Sequence, residues 1–299
     1  MRGDARVHQM MAAASLPEAL AMLAAEPGIW TPLAGGTELM VAHATGRLAP
    51  RKLLSLGSVQ ELRFIRKEEG SLTIGGGTTF GELRRNALIA AEFPLLAQAA
   101  GWIGAIANQN RATLAGNIVN GSPAADAPPA LLAYDAEIEL ISQRGLRRLP
   151  YKDFHLGYKR NTLAEDELVY ALRLPCRFTK HFGYQRKVGT RNAMAITKIG
   201  LAAVAKLENG IIAEIRLGAA SMADRPVRLH RTESVLEKQR PSAALREEAR
   251  TAILAEAQPI DDIRSTALYR RHVAANLIAE FLIELEHHAA NSLPEGRTA

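Results

Sequence analysis

The chain has 299 residues, 47% of them hydrophobic and 23% charged, so wholesale disorder is excluded and the length suits about two domains. Its one cysteine, Cys176, excludes a disulfide framework, a cysteine-ligated zinc and any iron–sulfur cluster held by this chain alone. Aromatic residues make up 5%, which argues against a stacking surface for single-stranded nucleic acid.

The net charge of +6 is dispersed in short doublets, Arg84-Arg85, Arg147-Arg148 and Arg270-Arg271. No run of like charge resembles a nucleic-acid arm, so the excess reads as a solvated surface able to dock an acidic partner. No apolar stretch reaches the ~18 residues that span a bilayer. Residues 10–16 imitate a secretory core only faintly, because Asp4 precedes them and Pro17-Glu18 open an amphipathic helix. A cytoplasmic protein is expected.

In chain order, Ser15 and Glu18 have capping-box spacing and begin a helix that Pro27-Gly28 stop near residue 26. A strand over 30–34 runs into Gly35-Gly36, and a helix over 38–46 follows. Residues 52–56 and 72–75 read as strands. Thr79 and Glu82 form a second capping box, and 94–103 reads as a helix. Residues 108–129 are rich in Asn, Gly, Ala and Pro and read as one loop. Strands follow over 136–142 and 167–174. Residues 199–207 and 211–219 flank Asn209-Gly210, a tight hairpin turn. Helices are expected over 227–238, 243–257 and 265–288, with a disordered tail from 289. Strands mixed with helices, without regular βαβ alternation, indicate an α+β fold with a boundary near residue 176.

The glycine-rich segments fit neither common nucleotide motif. Residues 75–81 cannot be set to GxGxxG, and Ser122-Pro123 follow Gly116 and Gly121 where a P-loop needs Lys-Ser/Thr. There is no HExxH and no GxSxG. What remains are loops of small residues, LAGGTEL at 33–39 and TLAGN at 113–117 leading to SPAAD at 122–126. Such loops let consecutive backbone N–H groups approach a diphosphate with no Cβ in the way.

These segments, with IGGGTTFGEL at 74–83, YQRKVGTRNAMAI at 184–196 and Tyr269-Arg270-Arg271, occur in an order that resembles the FAD-binding medium subunit of the molybdenum hydroxylases, the xanthine and carbon monoxide dehydrogenase family. The resemblance covers about residues 6–288. It implies a two-lobed α/β FAD-binding domain over 1–176, the lobes dividing near residue 56. A smaller α+β domain over 177–288 and a tail over 289–299 would follow.

By the same resemblance, Pro32, Leu33, Ala34, Gly35, Gly36, Thr37, Glu38 and Leu39 form the first diphosphate-holding segment. Thr113, Leu114, Ala115, Gly116 and Asn117 form the second. Asp126 bonds a sugar or ribityl hydroxyl, Ile103 lies beside the isoalloxazine, Val169 is an apolar position near the cofactor and Lys187 a basic one. Two departures stand out: Ala115 adds a methyl where the family often has glycine, and Ala107-Asn108-Gln109 replace a common Gln-Ile-Arg. Thr37 replaces the histidine of some related loops, which implies noncovalent FAD.

The resemblance further implies electron transfer from [2Fe–2S] clusters to FAD and on to an external acceptor such as NAD or a quinone. Clusters and molybdenum cofactor would reside on a small and a large partner subunit, in a dimer of heterotrimers, since one cysteine cannot supply cluster ligands. Two rival readings are a self-sufficient FAD oxidoreductase acting on a small molecule, and a structural subunit that has lost FAD.

Overall fold

The computed structural model describes residues 4–49 and 51–291. The chain opens with three parallel strands, β1 (Gln9–Ala12), β2 (Trp30–Leu33) and β3 (Lys52–Ser55), in the order β1-β3-β2. The crossovers contain α1 (Leu16–Ala25) and α2 (Leu39–Ala44). Residues 10–12, the start of the faintly secretory-like stretch, are therefore in a sheet strand. Helix α1 starts where expected: Ser15 Oγ accepts from Glu18 N–H at 3.4 Å, and the Glu18 carboxylate accepts from Ala14 N–H at 2.7 Å. Its inner face, Leu16, Ala19, Leu20 and Leu23, packs on Trp30 and Leu54 together with Leu62 and Leu168 from the next unit. Burying each such leucine contributes about 1.5–3 kcal/mol.

The second sheet is antiparallel, β4 (Ile65–Glu68), β5 (Ser71–Gly75), β6 (Glu137–Ser142), β7 (Gly145–Pro150) and β10 (Leu168–Pro175), ordered β4-β5-β10-β6-β7. A small hairpin, β8 (His155–Gly157) and β9 (Arg160–Asn161), hangs beside it. Between β5 and β6 run six short helices: α3 (Phe80–Arg85), α4 (Ala87–Glu92), α5 (Pro94–Trp102), α6 (Ile106–Gln109), α7 (Leu114–Val119) and α8 (Pro128–Ala133). The Thr79 capping box forms in full, Thr79 Oγ1 accepting from Glu82 N–H at 3.2 Å and Glu82 Oε2 from Thr79 N–H at 2.7 Å.

The expectation of one loop over 108–129 is thus corrected. Thr113 Oγ1 caps α7 by accepting from Gly116 N–H at 3.1 Å, and prolines open α8. Turns of four to six residues are too short for a 3.6-residue pattern to emerge. Every residue of α8 is buried, so it has no polar face to alternate with.

The third sheet, β11 (Phe182–Val188), β12 (Ile199–Glu208), β13 (Ile211–Ala220) and β14 (Val227–Arg228), is an antiparallel meander covered by α9 (His230–Leu236), α10 (Ala243–Glu256) and α11 (Ala267–Asn291). Asn209 and Gly210 both take positive φ, 54° and 74°, as the hairpin turn requires. The helix expected over 227–238 is shorter: Val227 and Arg228 are an edge strand, and the helix begins at His230. Residues 289–291, expected to be disordered, extend α11, while 292–299 lie outside the described residues.

Helix α8 locks the second and third sheets together. A Cβ on Gly218 of β13 would lie 2.1 Å from the Pro129 carbonyl oxygen, so the approach needs glycine there. Beside it Asp135 receives Arg177 and Arg216 at 2.8 Å each, and also Arg228, which is buried and paired with Glu233. This one carboxylate ties the end of α8 to the third sheet.

Candidate cofactor site

The first small-residue loop leaves the end of β2 and enters α2. Thr31, Pro32, Leu33, Ala34, Gly35, Gly36 and Thr37 are all half-buried, Glu38 is exposed, and Leu39 is half-buried at the start of the helix. The run is neither buried in a core nor freely exposed, so its backbone is partly open to solvent. Gly36 has φ +73° and its carbonyl accepts from Met40 N–H at 2.8 Å, which turns the chain into α2.

The second loop is stitched to the segment after β5. Leu114 N–H donates to Thr78 O, Ala115 N–H to Gly76 O and Phe80 N–H to Ala112 O, each at 3.0 Å. Gly76 is enclosed: a Cβ there would lie 2.3 Å from Val169 O and 3.0 Å from Ala115 Cβ. The Ala115 methyl therefore packs inward on the main core and does not project over the loop. The other departure is also internally satisfied. Gln109 is 4% exposed, gives Nε2–H to Gly101 O at 3.0 Å and accepts from Arg84 at 3.1 Å, while Asn108 Oδ1 accepts from Ala105 N–H at 3.1 Å.

The two loops meet. A Cβ on Gly35 would stand 1.9 Å from the Arg111 carbonyl oxygen and 2.9 Å from Ala112 Cα, and Arg111 Nε–H donates to Gly35 O at 3.4 Å. Glu38 of the first loop and Lys159 of the β8–β9 turn make a longer contact, 3.9 Å between exposed side chains, worth little by itself. Gly116 is exposed, and half-buried Asn117 carries a buried Oδ1 with no hydrogen-bond partner among the described residues. A buried acceptor left unpaired is costly, so a donor supplied from outside the chain would satisfy it. Together, the cradle at Gly35 and the orphaned Asn117 oxygen fit a hydroxyl-bearing dinucleotide.

The remaining expected residues form a second cluster where the second and third sheets meet. Asp126 Oδ2 accepts from Lys187 Nζ at 2.8 Å, Asp126 Oδ1 accepts from the Thr197 hydroxyl, and Lys187 also donates to Trp102 O at 3.3 Å. Asp126 and Lys187 side chains are 12% and 10% exposed. Burial pushes the Asp126 carboxyl above its ordinary range, and the ammonium and the hydroxyl offset part of that shift. A cavity of about 10 Å3, room for one water, is lined by Trp102, Asp126, Gln185, Lys187 and Thr197. Ile103, next to Trp102, is half-buried against the main core.

Val169 is 4% exposed and lies within the main core, with its carbonyl behind Gly76. Its side chain is packed in the core, and it is its carbonyl, next to Gly76, that backs the second loop. Sequence reasoning missed Thr197, Gln185 and the Trp102 carbonyl. A single buried hydroxyl between two loops and a backbone carbonyl leave no spacing signature.

Comparison with known proteins gives the family. Residues 6–177 match the family model described as FAD binding domain in molybdopterin dehydrogenase, and residues 184–285 match that of the CO dehydrogenase flavoprotein C-terminal domain. The xanthine dehydrogenase FAD-binding subunit of Escherichia coli O157:H7 is 32% identical over 285 residues, covering 94% of this chain and 97% of its own. The carbon monoxide dehydrogenase medium chain of Hydrogenophaga pseudoflava is 28% identical over 268 residues, covering 90% and 93%. A solved structure of carbon monoxide dehydrogenase from that organism, lacking the Mo-pyranopterin moiety of its molybdenum cofactor, matches 97% of this chain and 98% of its own with a TM-score of 0.89 at 26% identity. With both domains matched in order along nearly its whole length, the chain belongs to the FAD-binding medium subunits of the molybdenum hydroxylase family and is an oxidoreductase subunit.

Proposed function

We propose that this chain carries noncovalent FAD and passes electrons, in the cytoplasm, from [2Fe–2S] clusters on a small partner subunit to an external acceptor such as NAD or a quinone. A large partner subunit would hold the molybdenum cofactor, in a dimer of heterotrimers. When bound, FAD supplies the redox chemistry by accepting electrons and releasing them to a second acceptor. The chain's own residues bind, orient and set the local charge. The turn around Gly35, Gly36 and Thr37 turns its backbone toward the diphosphate. Thr113, Leu114, Ala115 and Gly116 hold the facing segment in place, the N–H groups of Leu114, Ala115 and Gly116 bonding within the protein. Asn117 accepts from a cofactor hydroxyl, Asp126 does the same with its remaining acceptor capacity, and Lys187 presents an ammonium to the flavin. Ile103 bounds the flavin edge, and Val169 acts from the core behind the loop.

The observation that carries this reading is the backbone contact of Gly35 with Arg111, which makes two loops from separate sheets into one surface. Two further features favour it over a subunit that has lost FAD: the methyl of Ala115 is directed inward and Gln109 is fully partnered. The single cysteine, half-buried Cys176, leaves the clusters to another chain. The purified chain should be yellow with one FAD per chain, and acid precipitation should release all the colour to the supernatant, because Thr37 offers no histidyl linkage. A colourless chain that added FAD does not restore, or flavin retained in the pellet, would refute this.

A further inference from the structure

We propose that Thr197 is a positioning residue of the flavin pocket, its hydroxyl holding Asp126 in the orientation that fixes the Lys187 ammonium. This rests on the placement of the flavin beside Lys187 proposed above. The geometry is specific to each atom. Asp126 takes the Thr197 hydroxyl on Oδ1 and the Lys187 ammonium on Oδ2, so each of its two oxygens has its own donor. An ammonium has three donors. Lys187 spends one on Asp126 and one on Trp102 O, and among the described residues the third has no partner.

Thr197 is itself held firmly. It is 1% exposed, its carbonyl accepts from the buried Ser221 hydroxyl at 2.9 Å, and the next residue, Lys198, donates its N–H to Val188 O at 2.8 Å. The hydroxyl is thereby aimed from the third sheet across the domain junction at a carboxylate that follows the second small-residue loop. Asp126 and Trp102 come from one side of the junction, Lys187 and Thr197 from the other. Without the hydroxyl, Oδ1 would be a buried acceptor with no donor. The carboxylate would turn to recover one, releasing the lysine from the direction in which its free N–H points.

Titration of the full-length chain with FAD, followed by flavin fluorescence, tests this. Thr197→Val should weaken FAD binding about tenfold, the loss expected from one hydrogen bond to a charged group. Thr197→Ser should stay within about twofold of wild type, and Thr197→Ala should behave as the valine variant does, so the comparison does not hang on one fold. In an Asp126→Asn background, Thr197→Val should add less than about twofold, because the hydroxyl acts through the carboxylate. The flavin midpoint potential should move in the same direction in Thr197→Val as in Lys187→Met. Wild-type affinity in Thr197→Val, or an undiminished effect in the Asp126→Asn background, overturns the role of Thr197 alone. A Lys187→Met chain with unchanged affinity and flavin spectrum overturns the placement of the flavin, and the role of Thr197 with it.

Discussion

Alanine at position 35 should abolish FAD binding while leaving the chain folded. The added Cβ would fall 1.9 Å from the Arg111 carbonyl oxygen, 2.5 Å from its carbon and 2.9 Å from Ala112 Cα. All three atoms are backbone, so no flexible side chain can move aside, and one loop must shift against the other. Both are anchored, the first by the turn into α2 and the second by its bonds to Gly76 and Thr78, so the shift moves the first loop's N–H groups out of line with Asn117. Affinity should fall more than about a hundredfold, which is ~2.7 kcal/mol or more. Because Gly35 is half-buried, Arg111 is exposed and Ala112 lies only at the margin of the main core, the thermal midpoint of the apo chain should change little. Gly36 is the control, since its Cβ would meet only Leu33 Cδ1 at 3.4 Å and Met40 Cγ at 3.5 Å. Alanine there fits the space and suffers only the left-handed backbone, about 1–2 kcal/mol. FAD titration and thermal unfolding of both variants check this, and a Gly35→Ala chain binding FAD within tenfold of wild type would refute it.

Acid should destabilise the protein through His155. This imidazole is 6% exposed, lies 2.9 Å from the Tyr151 hydroxyl through Nε2, and touches the Tyr151 and Phe154 rings edge-on. Its Nδ1 is buried with no hydrogen-bond partner among the described residues. Burial first, and the positive charge of Arg225 second, hold its pKa at about 4, below the ordinary 6.5. With the folded value depressed, the unfolded chain binds the extra proton first as pH falls. The contribution is therefore complete above the unfolded value and is lost progressively from pH 6.5 toward 4. At pH 5 the loss amounts to about 2 kcal/mol. Denaturant midpoints near pH 7.5 and pH 5 should fall apart more for wild type than for His155→Gln, which cannot titrate. Equal pH slopes in the two proteins would count against this origin.

The parts of the fold that were legible in the sequence are those where local backbone chemistry demands a residue type. Ser15 and Thr79 cap helices because a short oxygen side chain reaches the N–H three residues on. Asn209-Gly210 turn a hairpin because both must take positive φ. The two small-residue loops were legible for a related reason, since close backbone approach tolerates little else, and their order along the chain gave the family. Tertiary packing was not legible. Helices α6, α7 and α8 are short or wholly buried, and strands β4 and β7 are largely exposed edges whose alternation is masked by charge. Arg147 and Arg148 are exposed, as a solvated doublet should be, but their reach to Glu167 and Glu139 could not be read from the sequence. An apolar residue such as Val169 looks the same in a strand whether it faces a ligand or a core, and only the three-dimensional arrangement puts it behind Gly76. Thr197 was hidden because its partner is 71 residues away in sequence.

Anaerobic mixing of the FAD-loaded chain with its separately reduced iron–sulfur partner subunit tests the electron-transfer role most directly. The flavin absorption should bleach on mixing, and a Gly35→Ala chain, lacking FAD, should leave the partner reduced. The isolated FAD-loaded chain should be inert toward xanthine, aldehydes and N-heterocycles. Flavin that stays oxidised beside the reduced partner yet bleaches when a small-molecule substrate is added alone would contradict the account and identify a self-sufficient flavoenzyme.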